Sequence, residues 1–308
     1  MEILERITGI ILPVFAIIAI GYGYARWRGE VVRSDMASVN RVSMEVLAPL
    51  MVFSALSAKD FDLAHNGWLI LASVLISLGS ALLAWPVATM LGYDKRTFLP
   101  PMMYNNGGNM GVPLMLLAFG PESLSAAVAL FTAATFVYFS LGIKMLQHGR
   151  TTSTRPGSFL KLFKSPIMVA MVLGVLFAVL HVPLPQPVFS AMKLLGEASI
   201  PIMLFALGVR MMDISFKSWH IGLVGAVTCP LVGLIVAFAL DQVLPLTPGQ
   251  RGQMYLFGAL PPAVLCFMVA EQYRQEPDKV ASIVLMGNLA ALIFVPLGLW
   301  LGLQPSIR

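Results

Sequence analysis

Apolar residues run through this chain in long blocks that are separated by short polar segments. Ten of these blocks come close to the roughly 20 residues that an α-helix needs to cross a bilayer. They cover residues 7–27, 36–57, 67–91, 97–118, 123–146, 162–181, 191–212, 219–243, 253–272 and 279–303. The pattern therefore predicts an all-α integral membrane protein with ten membrane spans and almost no chain left for a soluble domain.

The fourth span contains a polar segment, Tyr104 to Pro113, that holds three asparagines, three glycines and a proline. Gly and Pro interrupt a helix, and lipid cannot satisfy the freed N–H and C=O groups, so such backbone lies at membrane depth only inside protein or beside a water-filled cavity. Broken helices in transporters place their half-helix ends at the substrate site. We interpret the segment as the centre of a carrier, with a loop outside the membrane as the alternative.

A second interruption is predicted in the ninth span, at Ala259-Leu260-Pro261-Pro262. Two consecutive prolines remove two N–H donors and clash with the preceding turn. The helix is therefore expected to open there, and a kink in a continuous helix is the alternative. The two unwound segments would then meet near the middle of the membrane.

The two halves of the chain resemble each other at a shift of 152 residues, because Pro49-Leu50-Met51-Val52-Phe53 aligns with Pro201-Ile202-Met203-Leu204-Phe205. Trp68 and Trp219 follow in nearly the same register. Residues 1–147 and 162–308 would then be two five-span repeats joined by a linker at 148–161. Since five is an odd number of spans, the second repeat must be inserted upside down relative to the first.

Composition and charge agree with a membrane protein and indicate its orientation. The 308 residues are 58% hydrophobic and 11% charged, with a mean hydropathy of +0.83, whereas soluble domains are about 25% charged. Fifteen Lys and Arg residues, Arg210 and Lys217 among them, follow odd-numbered spans, and five lie on the other side. By the positive-inside rule both termini are extracytoplasmic and the linker is cytoplasmic, in a cytoplasmic (inner) membrane. The net charge of +5 then reflects topology and not a nucleic-acid partner.

The broken fourth span has the chemistry of an anion site. A half-helix that begins near Met110 directs its free N–H groups and partial positive charge at the break, which suits a carboxylate. Pro113 lies in the first turn, where a missing donor costs little. The amides of Asn105, Asn106 and Asn109 can donate to a carboxylate without the desolvation cost of a buried Lys or Arg.

Other polar residues in the spans have two interpretations each. Ser54 in the second span either faces the break or hydrogen-bonds back to its own helix. Asn288 in the tenth span is either a substrate or ion ligand or part of an interhelical hydrogen bond. Thr132 and Thr135 lie in the fifth span, beside the break. We take Asn109, Asn288 and Thr132 as candidate ion ligands.

With these features in view, the chain resembles the auxin efflux carrier family of membrane transporters, which includes plant PIN auxin carriers and bacterial malonate or malate permeases. The motifs that carry the resemblance are Ala48 to Phe53, Asn106 to Leu114, Ala259 to Pro262, Ala270 to Tyr273 and Pro277-Asp278. The resemblance implies an NhaA-like crossover fold, shared with bile acid:sodium symporters. In that fold spans 1, 2, 6 and 7 form a scaffold, and spans 3–5 and 8–10 form a moving core.

The resemblance also implies a small organic anion as substrate and a homodimer formed through the scaffold. The family's crossover asparagine falls on Asn106, while Asn105 stands where plant carriers tend to have proline. The two helix breaks, the motifs of the resemblance and the amides of the fourth span together define the candidate substrate site. Its residues are Asn105, Asn106, Asn109, Gly111, Pro113, Ser54, Pro261 and Pro262.

Functions other than a carrier of organic anions would each need particular residues. An intramembrane enzyme would need a buried Ser and His pair or clustered aspartates, and a metal site would need His, Cys, Asp or Glu at ligand spacing; the sequence has neither pattern. A channel or receptor on the same fold is an alternative. A cation/proton antiporter would need a buried carboxylate at the crossover, where this chain has amides. A sodium-coupled symporter is a further alternative that these residues allow. No cofactor is predicted, and coupling to Na⁺ or H⁺ is left undecided.

Overall fold

The computed structural model describes residues 2–29, 31–58, 63–147, 166–213 and 218–304. The α-helices in these ranges are α1 (Glu2–Arg28), α2 (Val31–Val42), α3 (Ala48–Leu56), α4 (Leu63–Met90), α5 (Lys95–Met103), α6 (Val112–Phe119), α7 (Leu124–Val137), α8 (Ile143–Gln147), α9 (Pro166–Val179), α10 (Gln186–Arg210), α11 (Trp219–Asp241), α12 (Pro248–Gly258), α13 (Val264–Gln272) and α14 (Pro277–Leu303). Three π-helical segments lie in these ranges: Ser43–Leu47 between α2 and α3, Gly107–Gly111 directly before α6, and Tyr138–Gly142 between α7 and α8. The predicted all-α class is confirmed.

Seven helical segments of the described chain are long and apolar enough to cross a membrane. They are Ile7–Arg28, Asp35–Leu56, Asn66–Met90, Pro121–Leu146, Gln186–Arg210, Trp219–Asp241 and Pro277–Leu303, which correspond to predicted spans 1, 2, 3, 5, 7, 8 and 10. Predicted spans 4 and 9 are each divided into two short helices. Predicted span 6 corresponds to the shorter apolar helix α9, and its first residues, 162–165, lie outside the described ranges, as does the linker at 148–161.

The helices pack most extensively within two groups. One group contains α1, α3, α9 and α10, and the other contains α4, α5, α7, α11, α12 and α14. The second group has a very close helix approach, because a Cβ added to Gly233 on α11 would lie 2.2 Å from the carbonyl oxygen of Gly258 at the end of α12. Small residues allow such backbone contact between membrane helices. The contact fixes the end of α12, where the second helix break begins.

A buried ion pair holds the start of α12. The guanidinium Nε of Arg251 donates to Asp241 Oδ2 at 2.7 Å, and the Tyr255 hydroxyl donates to the same oxygen at 3.2 Å. The capping box formed by Thr247 and Gln250 satisfies the first backbone amides of the helix. Arg251, which lies just before predicted span 253–272, is therefore a buried structural residue.

The start of α5 is fixed by a second polar network. Asp94 caps the helix by accepting from Arg96 N, and hydrogen bonds from the Arg96 side chain hold the pKa of the Asp94 carboxyl below its usual value. Gln275, in the turn between α13 and α14, donates to Asp94 Oδ2 at 3.0 Å, and Thr97 donates to Glu276 Oε2 at 2.6 Å. Polar networks therefore hold the starts of α5 and α12, which are the ends of the two interrupted spans that lie away from the breaks.

Candidate functional site

The two predicted helix breaks are both present, and they lie directly against each other. Asn106 N donates to Pro261 O at 2.7 Å, and Ala263 N donates to Tyr104 O at 3.0 Å. These hydrogen bonds form a short antiparallel bridge in which each break satisfies backbone groups of the other. The alternative of a simple kink in the ninth span is therefore wrong. We call this arrangement the paired breaks.

The two asparagines of the first break have different partners. Asn105 Nδ2 donates to Phe257 O at 2.6 Å, and its Oδ1 is buried with no hydrogen-bond partner among the described residues. Asn106 Nδ2 donates to Asn288 Oδ1 at 3.1 Å, and Asn288 in turn donates to Val284 O at 2.7 Å. Asn288 therefore makes an interhelical hydrogen bond, one of the two interpretations given above, and it positions the Asn106 amide.

A cavity of about 170 Å³ lies beside the paired breaks, and we call it the break cavity. Its polar lining residues are Asn40, Ser43, Tyr104, Asn105, Asn106, Asn109, Thr135 and Arg210. The other side chains around it are mainly methionine, alanine, leucine and phenylalanine. A mostly apolar cavity with a few convergent polar groups is typical of a small-molecule site.

Two half-helices begin at the break cavity. Gly108 and Asn109 lie in the first turn of the segment that leads into α6, and Ala263 and Val264 lie at the start of α13; all four line the cavity. The first N–H groups of a helix have no intrahelical partner and carry a partial positive charge. Two helix starts therefore present partial positive charge to the break cavity.

A larger cavity of about 340 Å³ adjoins the break cavity. Asn40, Leu207, Arg210, Val264 and Met268 line both cavities. The larger cavity extends between the ends of helices α2, α10, α13 and α14. Because five residues line both cavities, the larger cavity lies between these helix ends and the break cavity.

All three π-helical segments contribute to the wall of the break cavity. They supply Ser43 and Met44, Gly108 and Asn109, and Phe139, respectively. A π-turn inserts an extra residue into a helix and often occurs at functional sites. The sequence carries no simple signal for a π-turn, so hydropathy analysis treated two of the three segments as ordinary helix.

Arg210 is the main site residue that the sequence analysis missed. It is the last residue of α10, it is half-buried, and it lines both cavities, whereas the analysis had counted it as a loop charge. An ionisable residue inside a predicted span, here 191–212, is a signal that could have found it. Ser43 was also missed: it is 2% exposed, and its Oγ has no hydrogen-bond partner in the described part of the chain.

Three predicted candidates lie away from the cavity walls. Ser54 donates to Met51 O at 3.1 Å, which is the helix back-bonding alternative, and it lines neither cavity. Pro113 is buried in the first turn of α6. The Oγ1 of Thr132 is buried and has no hydrogen-bond partner within the described ranges.

The remaining candidates support the backbone of the paired breaks. A Cβ on Gly111 would lie 2.6 Å from Leu260 Cδ1, so the glycine lets the two breaks approach each other. Pro261 O accepts from Asn106 N, and Pro262 pairs with Asn105 in the antiparallel bridge. Of the predicted substrate residues, Asn105, Asn106 and Asn109 are the ones brought together on the cavity wall.

A much smaller cavity of about 10 Å³ lies where α5 and α12 end, and Ser77, Ser80, Asn105 and Gly258 are among its lining residues. It has room for about one water molecule. No group of three or more His, Cys, Asp or Glu in the described ranges is arranged to hold a metal ion. Cys229 and Cys266 are buried free thiols.

Several helices long and apolar enough to cross a membrane, with two interrupted helices beside a cavity, are features typical of membrane transporters. Residues 6–299 match the model of the family described as "Membrane transport protein". The chain belongs to this family, in which the auxin efflux carriers are also placed. The protein is therefore a multi-pass membrane transporter.

Three relatives show what the chain is similar to. An "Uncharacterized transporter" of Methanothermobacter thermautotrophicus is 24% identical over 302 residues, which cover 94% of this chain and 96% of the relative. A protein of Rhizobium meliloti named "Putative malonate transporter" is 24% identical over 95% of this chain and 94% of its own length. A "Probable auxin efflux carrier component 3b" of Oryza sativa subsp. japonica is 23% identical over 45% of this chain and 25% of the relative.

Proposed function

We propose that this protein carries small organic anions, carboxylates such as malonate, malate or auxin-like acids, across the cytoplasmic membrane. The observation that carries the proposal is the break cavity, where two half-helix N-termini and three asparagines line one buried space. A carboxylate bound there would accept hydrogen bonds from backbone and amide donors. The printed names of two relatives, a malonate transporter and an auxin efflux carrier, support the same substrate class.

The transport mechanism in this proposal is alternating access. The packing group of α1, α3, α9 and α10 acts as the scaffold, and the group of α4, α5, α7, α11, α12 and α14 acts as the moving core of an elevator. Ten spans in two inverted repeats, with the paired breaks as the crossover, would place the site at the repeat interface. The scaffold would also form a homodimer, as the family resemblance implies.

The orientation in this proposal places both termini outside the cytoplasm and the linker at 148–161 inside it. The larger cavity then opens on the cytoplasmic side, because it lies between helix ends that adjoin the loops after predicted spans 1, 7 and 9. The described conformation would be the inward-facing state of the carrier. An outward-facing state would need the core to move relative to α2 and α10.

Two alternatives on the same fold differ in the coupling ion. A cation/proton antiporter needs a carboxylate at the crossover, and no carboxylate of the described residues lines the break cavity. A sodium-coupled symporter of the bile-acid type would need an oxygen-rich site, for which Asn109, Asn288 and Thr132 are the candidates. The unpartnered Oγ1 of Thr132 is the feature that favours this second function.

Uptake into proteoliposomes tests the proposal. The purified protein is reconstituted, and radiolabelled malonate, malate and an aromatic acetic acid are offered with a sodium gradient, a pH gradient, a membrane potential or no gradient. We expect saturable uptake of at least one carboxylate that exceeds uptake by empty liposomes, and competition among carboxylates but not by sugars. If none of the carboxylates is carried or counter-exchanged under any gradient, the proposed substrate class is wrong.

A further inference from the structure

We propose that Arg210, together with Asn40 and Ser43, binds a second carboxylate of the substrate, so that the site selects small dicarboxylates over monocarboxylates. This inference rests on the proposed function, since it assumes that an organic anion occupies the break cavity. We call these three residues the Arg210 anchor. They are not among the residues that the sequence predicts for the site.

Arg210 lies on the wall of the break cavity. Arg210 ends α10, and Asn40 lies near the end of α2, whereas Asn105, Asn106 and Asn109 belong to the first break. The break cavity therefore has polar groups from two different structural parts. A molecule with one anionic group at each end would use both sets of donors.

Arg210 also brings a positive charge to the break cavity. Among the described residues that line the break cavity, Arg210 is the only charged one, and the others are amides, hydroxyls and apolar side chains. Each helix N-terminus contributes about half an elementary charge, whereas a guanidinium contributes a full one. A dianion would place one carboxylate at the paired breaks and the other at the Arg210 side of the break cavity. Glu271 is an acidic residue that lines the larger cavity and does not line the break cavity.

The hydroxyl of Ser43 is unsatisfied in the described chain. Its side chain is 2% exposed and lines the break cavity, and Ser43 Oγ has no hydrogen-bond partner in the described chain. A buried hydroxyl without a partner is costly, and an oxygen of a bound ligand would satisfy it. Ser43 begins a π-helical segment and lines the same cavity as Asn40 and Arg210.

The geometry of the side chains also suits a carboxylate. Arginine presents a planar fork of N–H donors that binds a carboxylate through two parallel hydrogen bonds. An arginine inside a membrane span is costly enough that it usually serves a function. The Asn40 amide and the Ser43 hydroxyl line the same cavity and can also donate to a carboxylate.

The test compares malonate with its monomethyl ester, which has nearly the same size but a single carboxylate. Half-saturating concentrations are measured by counterflow in proteoliposomes at pH 7.5 for the wild type, Arg210→Gln and Arg210→Lys. Lys193→Gln is the matched control, because it removes a positive charge from the same helix at an exposed position, 3.8 Å from Glu197. Folding of each variant is checked by its melting temperature and its elution from a sizing column in detergent.

We expect the wild type to prefer malonate over the ester. Arg210→Gln should raise the half-saturating malonate concentration by about ten- to hundredfold, the effect of losing hydrogen bonds to a charged group. The same variant should leave the value for the ester within about threefold. Arg210→Lys keeps the charge but loses the fork, so its malonate value should lie between those of the wild type and the glutamine variant. Lys193→Gln should behave as the wild type.

Two results would overturn the inference and leave the proposed function standing: a wild type that carries the ester as well as malonate, or an Arg210→Gln variant that weakens both equally. A wild type that carries neither compound nor any other carboxylate would refute the proposed function itself. If Arg210→Gln does not fold, Arg210→Lys decides the question, since an unchanged ratio of malonate to ester in a folded lysine variant contradicts the two-bond role of the guanidinium.

Discussion

At the scale of single residues, Asn106 connects the backbone of the paired breaks to the cavity. Its N–H donates to Pro261 O, its side chain donates to Asn288, and the residue is 2% exposed. The amide Nδ2 has two hydrogens, so one remains for a ligand when the other is bound to Asn288. Asn106 can therefore hold the paired breaks together and donate a hydrogen bond to a bound anion.

We predict that Asn106→Ala weakens substrate binding without preventing folding. Losing one hydrogen bond to a charged group costs about 1.5 to 3 kcal/mol, or about ten- to hundredfold in affinity. The measurement is the half-saturating concentration for carboxylate uptake. Asn66→Ala is the control, because Asn66 is a buried asparagine of α4 that lines neither cavity. Equal uptake by Asn106→Ala and the wild type would place the site elsewhere.

The sequence allowed some of these residue roles to be predicted. Asn105, Asn106 and Asn109 stand out because amides are rare in an apolar span, and all three line the break cavity. By charge alone Arg210 resembles the loop cations, because it lies within one turn of the end of predicted span 191–212; its position inside that span was the signal that set it apart. Whether a side chain faces a cavity depends on helix rotation and packing, which hydropathy does not report.

At the scale of elements, the contact between α11 and α12 determines where the second break lies. Gly233 on α11 approaches the carbonyl of Gly258 so closely that a methyl group does not fit. Leu260, Pro261 and Pro262 follow directly and form the break. The Gly233–Gly258 contact thus fixes where α12 ends, and Pro261 and Pro262 prevent the helix from continuing beyond that point.

We predict that Gly233→Ala destabilises the protein and reduces transport. Its Cβ would lie 2.2 Å from the Gly258 carbonyl oxygen, so backbone must move, and overpacking of this kind costs about 1 to 3 kcal/mol. The readout is the melting temperature in detergent together with the uptake rate. Gly67→Ala on α4 is the control: the added methyl meets open space, and alanine favours a helix by up to about 1 kcal/mol. A Gly233→Ala protein as stable and active as Gly67→Ala would contradict the packing argument.

The elements themselves were largely predictable. Each of seven predicted spans has a continuous apolar segment as its counterpart, and the two spans that combine Gly, Pro or Asn at their centres are the interrupted ones. Periodicity and helix-breaking residues report local structure, so this part was accessible from the sequence. The sequence analysis expected the two breaks to meet, but the backbone hydrogen bonds that pair them, and the π-helical segments, depend on contacts between distant elements and were not predicted.

At the scale of the whole molecule, the orientation in the membrane rests on the uneven distribution of Lys and Arg. We predict that a cysteine replacing Arg155 in the linker is not labelled by a membrane-impermeant maleimide in intact cells and is labelled after permeabilisation. A cysteine near the amino terminus, at Glu5, should show the opposite behaviour. Labelling at position 155 in intact cells would refute the topology and, with it, the inverted repeat.

The central claim is that an organic anion binds in the break cavity, and substrate protection of a cysteine placed there tests it most directly. Met44→Cys puts a thiol on the cavity wall without changing a polar residue, and Met90→Cys at the exposed end of α4 is the control. The native cysteines, Cys229 and Cys266, are buried. We expect the transported carboxylate to slow maleimide labelling of Met44→Cys, with half-protection at the concentration that half-saturates transport, and to leave Met90→Cys unaffected. Labelling of Met44→Cys that proceeds at the same rate when transport is saturated would contradict the account.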